Sequence, residues 1–231
     1  MPSVPPPKRH PYNQWSPDAR ALDLVGDKWT LLIIRDLASG PRRFVELQRV
    51  LPGISTEQLR SRRNRMVADG LLTRQRYREV PPRVDYDLTE RARAVLPVVG
   101  ALATWGYEWA WGPPRAGEAI DIGAILRSAA GIEVPERSAS GVLELEVTQR
   151  GRPERQYAIS VTRGRMTLVE RSAADADARV SGSERAWIDA FSPNGSRAGL
   201  TIVGDERLAD TVLSACGSID ASASAASSAV A

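Results

Sequence analysis

Residues 55–67 run Ser55-Thr56-Glu57-Gln58-Leu59-Arg60-Ser61-Arg62-Arg63-Asn64-Arg65-Met66-Val67, and their reading decides how the first half of the chain folds. Ser55 followed three residues later by Gln58 is a capping-box pattern. The hydroxyl accepts from the amide three positions on, and the Gln side chain returns to the amide of the cap. The spacing predicts a helix from this cap to Gly70, with Leu59, Met66 and Val67 on one face. Arg60, Arg62, Arg63 and Arg65 crowd the remainder. By the same spacing Arg63 falls on the apolar face, where an unpaired guanidinium is costly, so it must snorkel or find a partner.

The flanking segments take their meaning from this helix. Upstream, Phe44, Leu47 and Leu51 predict a short amphipathic helix that ends at Pro52-Gly53. Thr30 opens a buried helix with Leu31, Leu32, Ile33, Ile34 and Leu37, stopped by Gly40-Pro41. Ser16-Pro17 suits the cap and first position of a helix bearing Ala21, Leu22 and Val25, with Gly26 at its end. Downstream, Leu71–Tyr77 favours a strand, Pro81-Pro82-Arg83 a turn, and Val84–Leu88 the return strand. Thr89-Glu90 then opens one long helix carrying Ala94, Val95, Val98, Leu102 and Trp105. A short helix, a Gly-containing turn and a capped second helix make a helix-turn-helix, and the hairpin behind it makes a wing.

Charge follows the same division. The 231 residues carry a net +3, but residues 42–83 alone hold 11 Arg against 4 acids. Residues 113–231 hold 13 basic and 16 acidic side chains. A basic excess confined to one stretch is the footprint of phosphate-backbone binding, although a solvated Arg-rich face has the same composition. The lone cysteine, Cys216, and the lone histidine, His10, leave no set for a Ser-His-Asp triad, a Cys-His pair or a multi-histidine metal site. There is no paired-acid motif and no Gly-rich phosphate loop, so neither catalysis nor a cofactor is expected. No run reaches the roughly 18 apolar residues of a membrane span, the N-terminus lacks the apolar core of a secretory signal, and a cytoplasmic protein is expected.

With these blocks in place, the chain resembles the HxlR family of winged-helix transcription regulators over about residues 14–112. The matching blocks are GDKWTLLIIRDL, GPRRFVELQ, LPGIS and EVPPRVDYDLT, in order and correctly spaced. The resemblance implies a homodimer built by the first and last helices, around Trp15–Val25 and Glu90–Trp111, reading a roughly palindromic operator in double-stranded DNA. Many family members place an oxidant-sensing cysteine just before the Pro of the first helix. Here that position is Ser16, which has no thiolate chemistry. The family usually has Leu where this chain has Arg63.

On this fold the expected DNA contacts are Ser55, Thr56, Glu57, Gln58, Arg60, Arg62 and Asn64 in the capped helix. Its N-terminal end is placed to reach base edges or phosphates. Gln58 is doubly employed, because the capping box turns it back to its own backbone. Arg42 and Arg43 before the helix-turn-helix, and Arg76, Arg78 and Arg83 in the wing, are expected to hold phosphates.

The rest of the chain reads differently. Ile120–Ala130 suits a short helix, and Val142–Val147 alternates as a strand. Tyr157–Val161 and Met166–Val169 form a hairpin, and Ala178–Gly182 a further short strand. A helix capped by Ser183 follows. Leu200–Asp205 is extended, and a last helix carries Leu208, Val212 and Leu213. Residues 120–216, above all SGSERAWIDAF and Ile202-Val203-Gly204-Asp205, resemble the sterol-carrier-protein family. That resemblance implies a sheet with an apolar cavity beneath its helices. The expected chain is therefore α+β throughout. A flexible arm (1–13) is followed by a winged helix-turn-helix domain (14–112), a linker (113–119), a sterol-carrier-like domain (120–216) and a flexible tail (217–231).

Trp105, Trp109, Trp111, Trp187 and Phe191 offer flat apolar surface for a hydrophobic small-molecule effector, and equally for packing between helices or subunits. The leading expectation is a ligand-responsive regulator that is not an enzyme. Arg63 motivates an alternative, a small-molecule carrier that has lost DNA recognition. An enzyme acting on the bound molecule is a third. The bland expectation for Cys216 is a small buried hydrophobe.

Overall fold

The computed structural model describes residues 11–80, 82–135, 139–151, 153–193 and 195–217. Residues 1–10 of the expected arm, Pro81 of the wing turn and residues 218–231 of the expected tail lie outside the described residues. Internal packing divides the chain into two units, Met1–Leu96 and Pro97–Ala231.

In the first unit, α1 (Pro17–Val25) starts where Ser16 Oγ accepts from Ala19 N and stops at Gly26. Helix α2 (Thr30–Leu37) supplies the core side chains Ile33, Ile34 and Leu37, all fully buried. Leu47 of α3 (Phe44–Val50) joins them, as do Leu59 and Met66 of α4 (Thr56–Ala68). The wing is β2 (Leu72–Tyr77) paired antiparallel with β3 (Arg83–Leu88), with Leu72 opposite Leu88 and Tyr77 opposite Arg83. A two-residue strand, β1 (Arg42–Arg43), adds to the other edge of β3, with Arg42 opposite Tyr86. Two residues are too few to show the alternation that marks a strand, so β1 has no signature in the sequence.

The single long helix expected after Thr89 is two helices. Helix α5 (Glu90–Arg93) is capped by Thr89, whose hydroxyl accepts from Ala92 N, and after a turn at residues 94–95 α6 (Leu96–Trp109) begins. The cause is Pro97. It has no amide to donate, its ring clashes with the preceding turn, and it is tolerated only in the first turn of a new helix.

In the second unit, α6 and the irregular segment 110–121 lead to α7 (Ile122–Ser128), capped by Asp121 and followed by a 3-10 turn, Ala129–Gly131. The segment 113–119, expected from its Gly and Pro to be the linker, thus joins α6 to α7 inside this unit. Its five-stranded sheet has the order β6-β5-β4-β7-β8. The strands are β4 (Gly141–Thr148), β5 (Arg155–Thr162), β6 (Arg165–Val169), β7 (Ala178–Ser183) and β8 (Thr201–Gly204). All neighbours are antiparallel except β4 and β7. The β5–β6 hairpin turns on Arg163 and Gly164, both at positive φ, as a two-residue turn between twisted strands requires.

The sheet buries one face. Leu143, Leu145, Val147, Tyr157, Ile159, Val161, Leu168 and Val180 pack in one core with Leu126 of α7. Helix α8 (Glu184–Phe191), capped by Ser183, adds Trp187 and Phe191, and α9 (Glu206–Ala215), capped by Asp205, adds Leu208, Val212 and Leu213. The alternate residues form a polar face, apolar in on one side and polar out on the other. Glu144 on that face is itself buried. Burial alone would raise its carboxyl, but hydrogen bonds from Ala173 N (2.6 Å), Ser172 Oγ (2.9 Å) and Arg179 Nε (2.9 Å) outweigh it and hold the group below its ordinary value.

Helix α6 makes a close backbone approach to the rest of this unit. A Cβ on Gly100 would lie 2.0 Å from the carbonyl oxygen of Gly131. The glycine lets the helix sit on the 3-10 turn backbone to backbone. Cys216, as expected, is fully buried, and desolvation pushes its thiol up to about 12, so it stays protonated at neutral pH. Gly100→Ala is expected to destabilise the second unit by about 2 kcal/mol or more, because backbone rather than a side-chain tip must move. Thermal unfolding followed by circular dichroism would show a drop of several degrees. An unchanged midpoint would contradict the backbone contact.

Candidate nucleic-acid interface

The capping box at the start of α4 is formed on both sides. Ser55 Oγ accepts from Gln58 N, and Gln58 Oε1 accepts from Ser55 N, each at 3.1 Å. Gln58 is therefore turned back to its own helix, as its spacing implied. Gln48 Nε2 donates to Thr56 Oγ1 at 2.7 Å, tying the preceding helix to the first turn of α4. Ser55, Thr56, Glu57, Gln58, Arg60 and Asn64 are all exposed. Thr56, Arg60 and Asn64, four residues apart, share one side of the rod. On it Arg60 Nη1 and Glu57 Oε2 make an exposed ion pair at 3.0 Å.

Arg62 lies on another side. Its Nη1 is 2.8 Å from Asp27 Oδ2, and both side chains are mostly covered. Asp27 also accepts from Trp29 N (2.8 Å), Thr30 N (3.1 Å) and the Thr30 hydroxyl. One carboxylate thus caps the start of α2 and anchors α4, and Arg62 faces the protein rather than solvent.

Arg63 finds partners of an unforeseen kind. Its guanidinium lies 4.6 Å from the centroid of Tyr86 and 5.3 Å from that of Phe44. Its Nη2 donates to Asn64 Oδ1 at 2.9 Å, and its buried Nε has no hydrogen-bond partner. Desolvation lowers this guanidinium from its ordinary value. The Tyr86 hydroxyl opposes that effect, and the neighbouring charges of Arg74 and Arg60 add to it. The helix stays regular through Arg63, since a planar, weakly hydrated guanidinium can lie flat against aromatic faces.

The remaining expected phosphate contacts divide into two groups. Arg43, Arg76 and Arg78 are exposed, and Arg43 Nε pairs with Glu46 Oε1 at 3.5 Å. Arg42 is half-buried and turned inward, its Nε donating to Asp36 O at 2.7 Å and its Nη2 to Ser39 Oγ at 3.2 Å. Arg83 grips the buried Asp85 through Nε (2.8 and 3.0 Å) and Nη2 (2.6 Å) and lies over the Tyr77 ring. Those hydrogen bonds raise the Arg83 guanidinium further and hold the Asp85 carboxyl below its ordinary range.

The wing also places a residue that the sequence reading passed over. Arg74 and Arg76, two apart on β2, share a face with their cross-strand partners Tyr86 and Val84. Tyr86 carries Arg63, so this face of the wing adjoins α4, which packs on β2. The two-residue alternation of Arg74 and Arg76 was the available signal. What decides their value is Tyr86 behind them.

In the second unit Trp187 and Phe191 stack at 5.7 Å inside the core, and Trp187 Nε1 donates to Glu146 O. Trp111 Nε1 donates to Phe191 O at 2.7 Å, and its ring meets Tyr107 edge-on. Val98, Leu102, Trp105 and Trp109 form one apolar stripe along α6, each at least half exposed. Among the described residues no cluster of three or more His, Cys, Asp or Glu could hold a metal ion. No helix there is long and apolar enough to cross a membrane.

Helices α3 and α4, joined by a Gly-containing turn and followed by the β2–β3 hairpin, define a winged helix-turn-helix. The family model described as HxlR-like helix-turn-helix matches residues 24–112. An HTH-type transcriptional regulator of Synechocystis sp. is 40% identical over 93 residues, which cover 40% of this chain and 69% of that protein. Another, from Halalkalibacterium halodurans, is 42% identical over 96 residues, 41% of this chain and 85% of its own length. Among solved structures, the reduced form of the redox regulator HypR is 35% identical over 40% of this chain and 92% of its own, with a TM-score of 0.39. The chain belongs to the HxlR-like helix-turn-helix family, whose relatives here are named transcriptional regulators.

The capping box is open to a direct test. Ser55→Ala is expected to cost about 1 kcal/mol of stability, by denaturant unfolding, through the loss of one capping acceptor. A change within experimental error would mean that Gln58 and the Gln48–Thr56 bond suffice to hold the start of α4.

Proposed function

We propose that the protein is a homodimeric transcription regulator that reads operator DNA with α4 and the wing. One observation carries this reading: Thr56, Arg60 and Asn64 line the free side of a capped helix, and Arg74 and Arg76 extend from the strand packed beside it. A rod of this kind fits the major groove with its N-terminal half toward base edges, and the flanking arginines neutralise phosphates. Arg43 and Arg78 extend the basic surface. Arg42, Arg62 and Arg83 serve chiefly to hold the fold that presents it. The carrier alternative drew its motive from Arg63, which leaves α4 regular.

The dimer reading rests on the exposed stripe of α6, with Trp15 and Leu22 at the first helix as further uncovered apolar groups. A second copy of the chain is the natural cover for such a stripe. Ser16 caps α1 through its hydroxyl, so thiol-based sensing has no group to act through at that position. The second half, read as sterol-carrier-like, is then the part that senses a hydrophobic molecule. Its effect on operator affinity requires different affinities for the DNA-competent and incompetent states.

Fluorescence anisotropy on duplexes from the region upstream of its own gene tests the DNA reading. Binding should weaken steeply with salt. The exposed pair Arg60→Ala and Arg74→Ala should together weaken it by tenfold or more and lower the salt slope by about two. Full affinity in that double variant would rule out this placement of α4 and the wing. Native mass spectrometry is expected to report twice the 25.1 kDa chain mass, together with any retained hydrophobic molecule. Leu102→Asp should return the monomer mass, and a monomeric wild-type chain would refute the dimer.

A further inference from the structure

The contact between Arg63 and Asn64 fixes what α4 can ask of a base. Arginine has five donors and no acceptor, so the Asn64 atom that faces Nη2 at 2.9 Å is the carbonyl oxygen, Oδ1. The guanidinium that holds it cannot swing aside freely, because it is packed against Tyr86 on β3 and Phe44 on α3. The Asn64 carboxamide is therefore oriented, with Oδ1 toward the protein and the Nδ2 hydrogens left for a partner outside. Asn64 is exposed and shares its side of the helix with Thr56 and Arg60.

A free asparagine reads adenine by using both ends of its amide at once, accepting from N6 and donating to N7. With its oxygen drawn toward Arg63, Asn64 turns its donor end outward and no longer offers both ends of the amide in the geometry that adenine needs. Donors are matched twice by guanine, at N7 and O6, and by O4 of thymine; adenine sets an amine beside its N7, and cytosine presents an amine alone. We propose that Arg63 is a positioning residue that holds Asn64 with its donors outward, so that one base pair in each half-site is selected as guanine or thymine rather than adenine. This rests on the reading of α4 as the DNA-facing helix. Arg63 touches no base itself; it acts by holding Asn64.

The test is selection of bound duplexes from a randomised library by the full-length protein, with Arg63→Met and Asn64→Asp selected in parallel. Arg63→Met keeps an unbranched apolar chain between the two rings, removes the donor to Asn64, and also removes the unpartnered Nε. It is expected to fold with an unchanged or higher unfolding midpoint. At one base pair per half-site its preference should shift toward adenine by on the order of tenfold, the discrimination typical of one bidentate contact. The other positions should stay as in the wild type. Asn64→Asp guards against a misfolded Arg63 variant, since it still accepts from Arg63 but has no amide donor, and it should lose the guanine-or-thymine preference at the same base pair. A merely structural role for Arg63 would weaken all positions together and leave the base choice intact. A wild-type motif retained unchanged by both variants overturns this inference alone. Selection of no motif by the wild type overturns both the inference and the DNA reading beneath it.

Discussion

The placement of α4 depends on cations that are not free. The helix buries only Leu59 and Met66, which together contribute a few kcal/mol of apolar burial, on the order of 1.5–3 kcal/mol each. Such a narrow seam leaves the rotation of the rod about its own axis poorly determined. Rotation is set by Arg62 on Asp27 and by Arg63 between Phe44 and Tyr86. Asp27 is in turn fixed by the first amides of α2, whose Ile33, Ile34 and Leu37 form the centre of the core. The arginine run thus works in two directions. Part of it ties the helix down, and the remainder faces outward because that part is tied.

The two units meet opposite electrostatic demands. The first concentrates arginine on one helix and one hairpin. The second is net negative over residues 113–231 and pairs the few charges that it buries. Arg127 is almost wholly buried between Asp121 (2.5 Å) and Glu170 (2.9 Å), and Arg155 pairs with the same Asp121 at 2.9 Å. Arg197, nearly buried, pairs with Asp210 and Ser214. Paired in this way, its interior charges contribute little field outside, and phosphate attraction is left to the basic face of the winged half.

Much of this fold was legible because its signals are local. Caps at Ser16, Ser55, Thr89 and Ser183, the Arg163-Gly164 turn and the alternation of β4 each depend on neighbours a few residues away. Where the reading missed, a local rule had been overlooked or none existed. Pro97 splits the expected long helix by a rule available in the sequence, whereas β1 is too short to carry a pattern at all. The candidate interface was legible as a set and not as individuals. Arg42, Arg62 and Arg83 look no different in sequence from Arg60, Arg74 and Arg76, and only their acceptors separate them.

The amino-acid order by itself determined the element types, the capped basic helix, the wing behind it and the confinement of positive charge to one stretch. It did so because helical caps, strand alternation and net charge involve few residues or are simple counts. The tertiary structure alone decided which arginines face outward, how Arg63 is accommodated and how Asn64 is oriented. Those outcomes depend on Asp27, Phe44 and Tyr86 arriving beside α4 from other elements. A side chain's partner across space is set by packing, and no spacing rule along the chain encodes it.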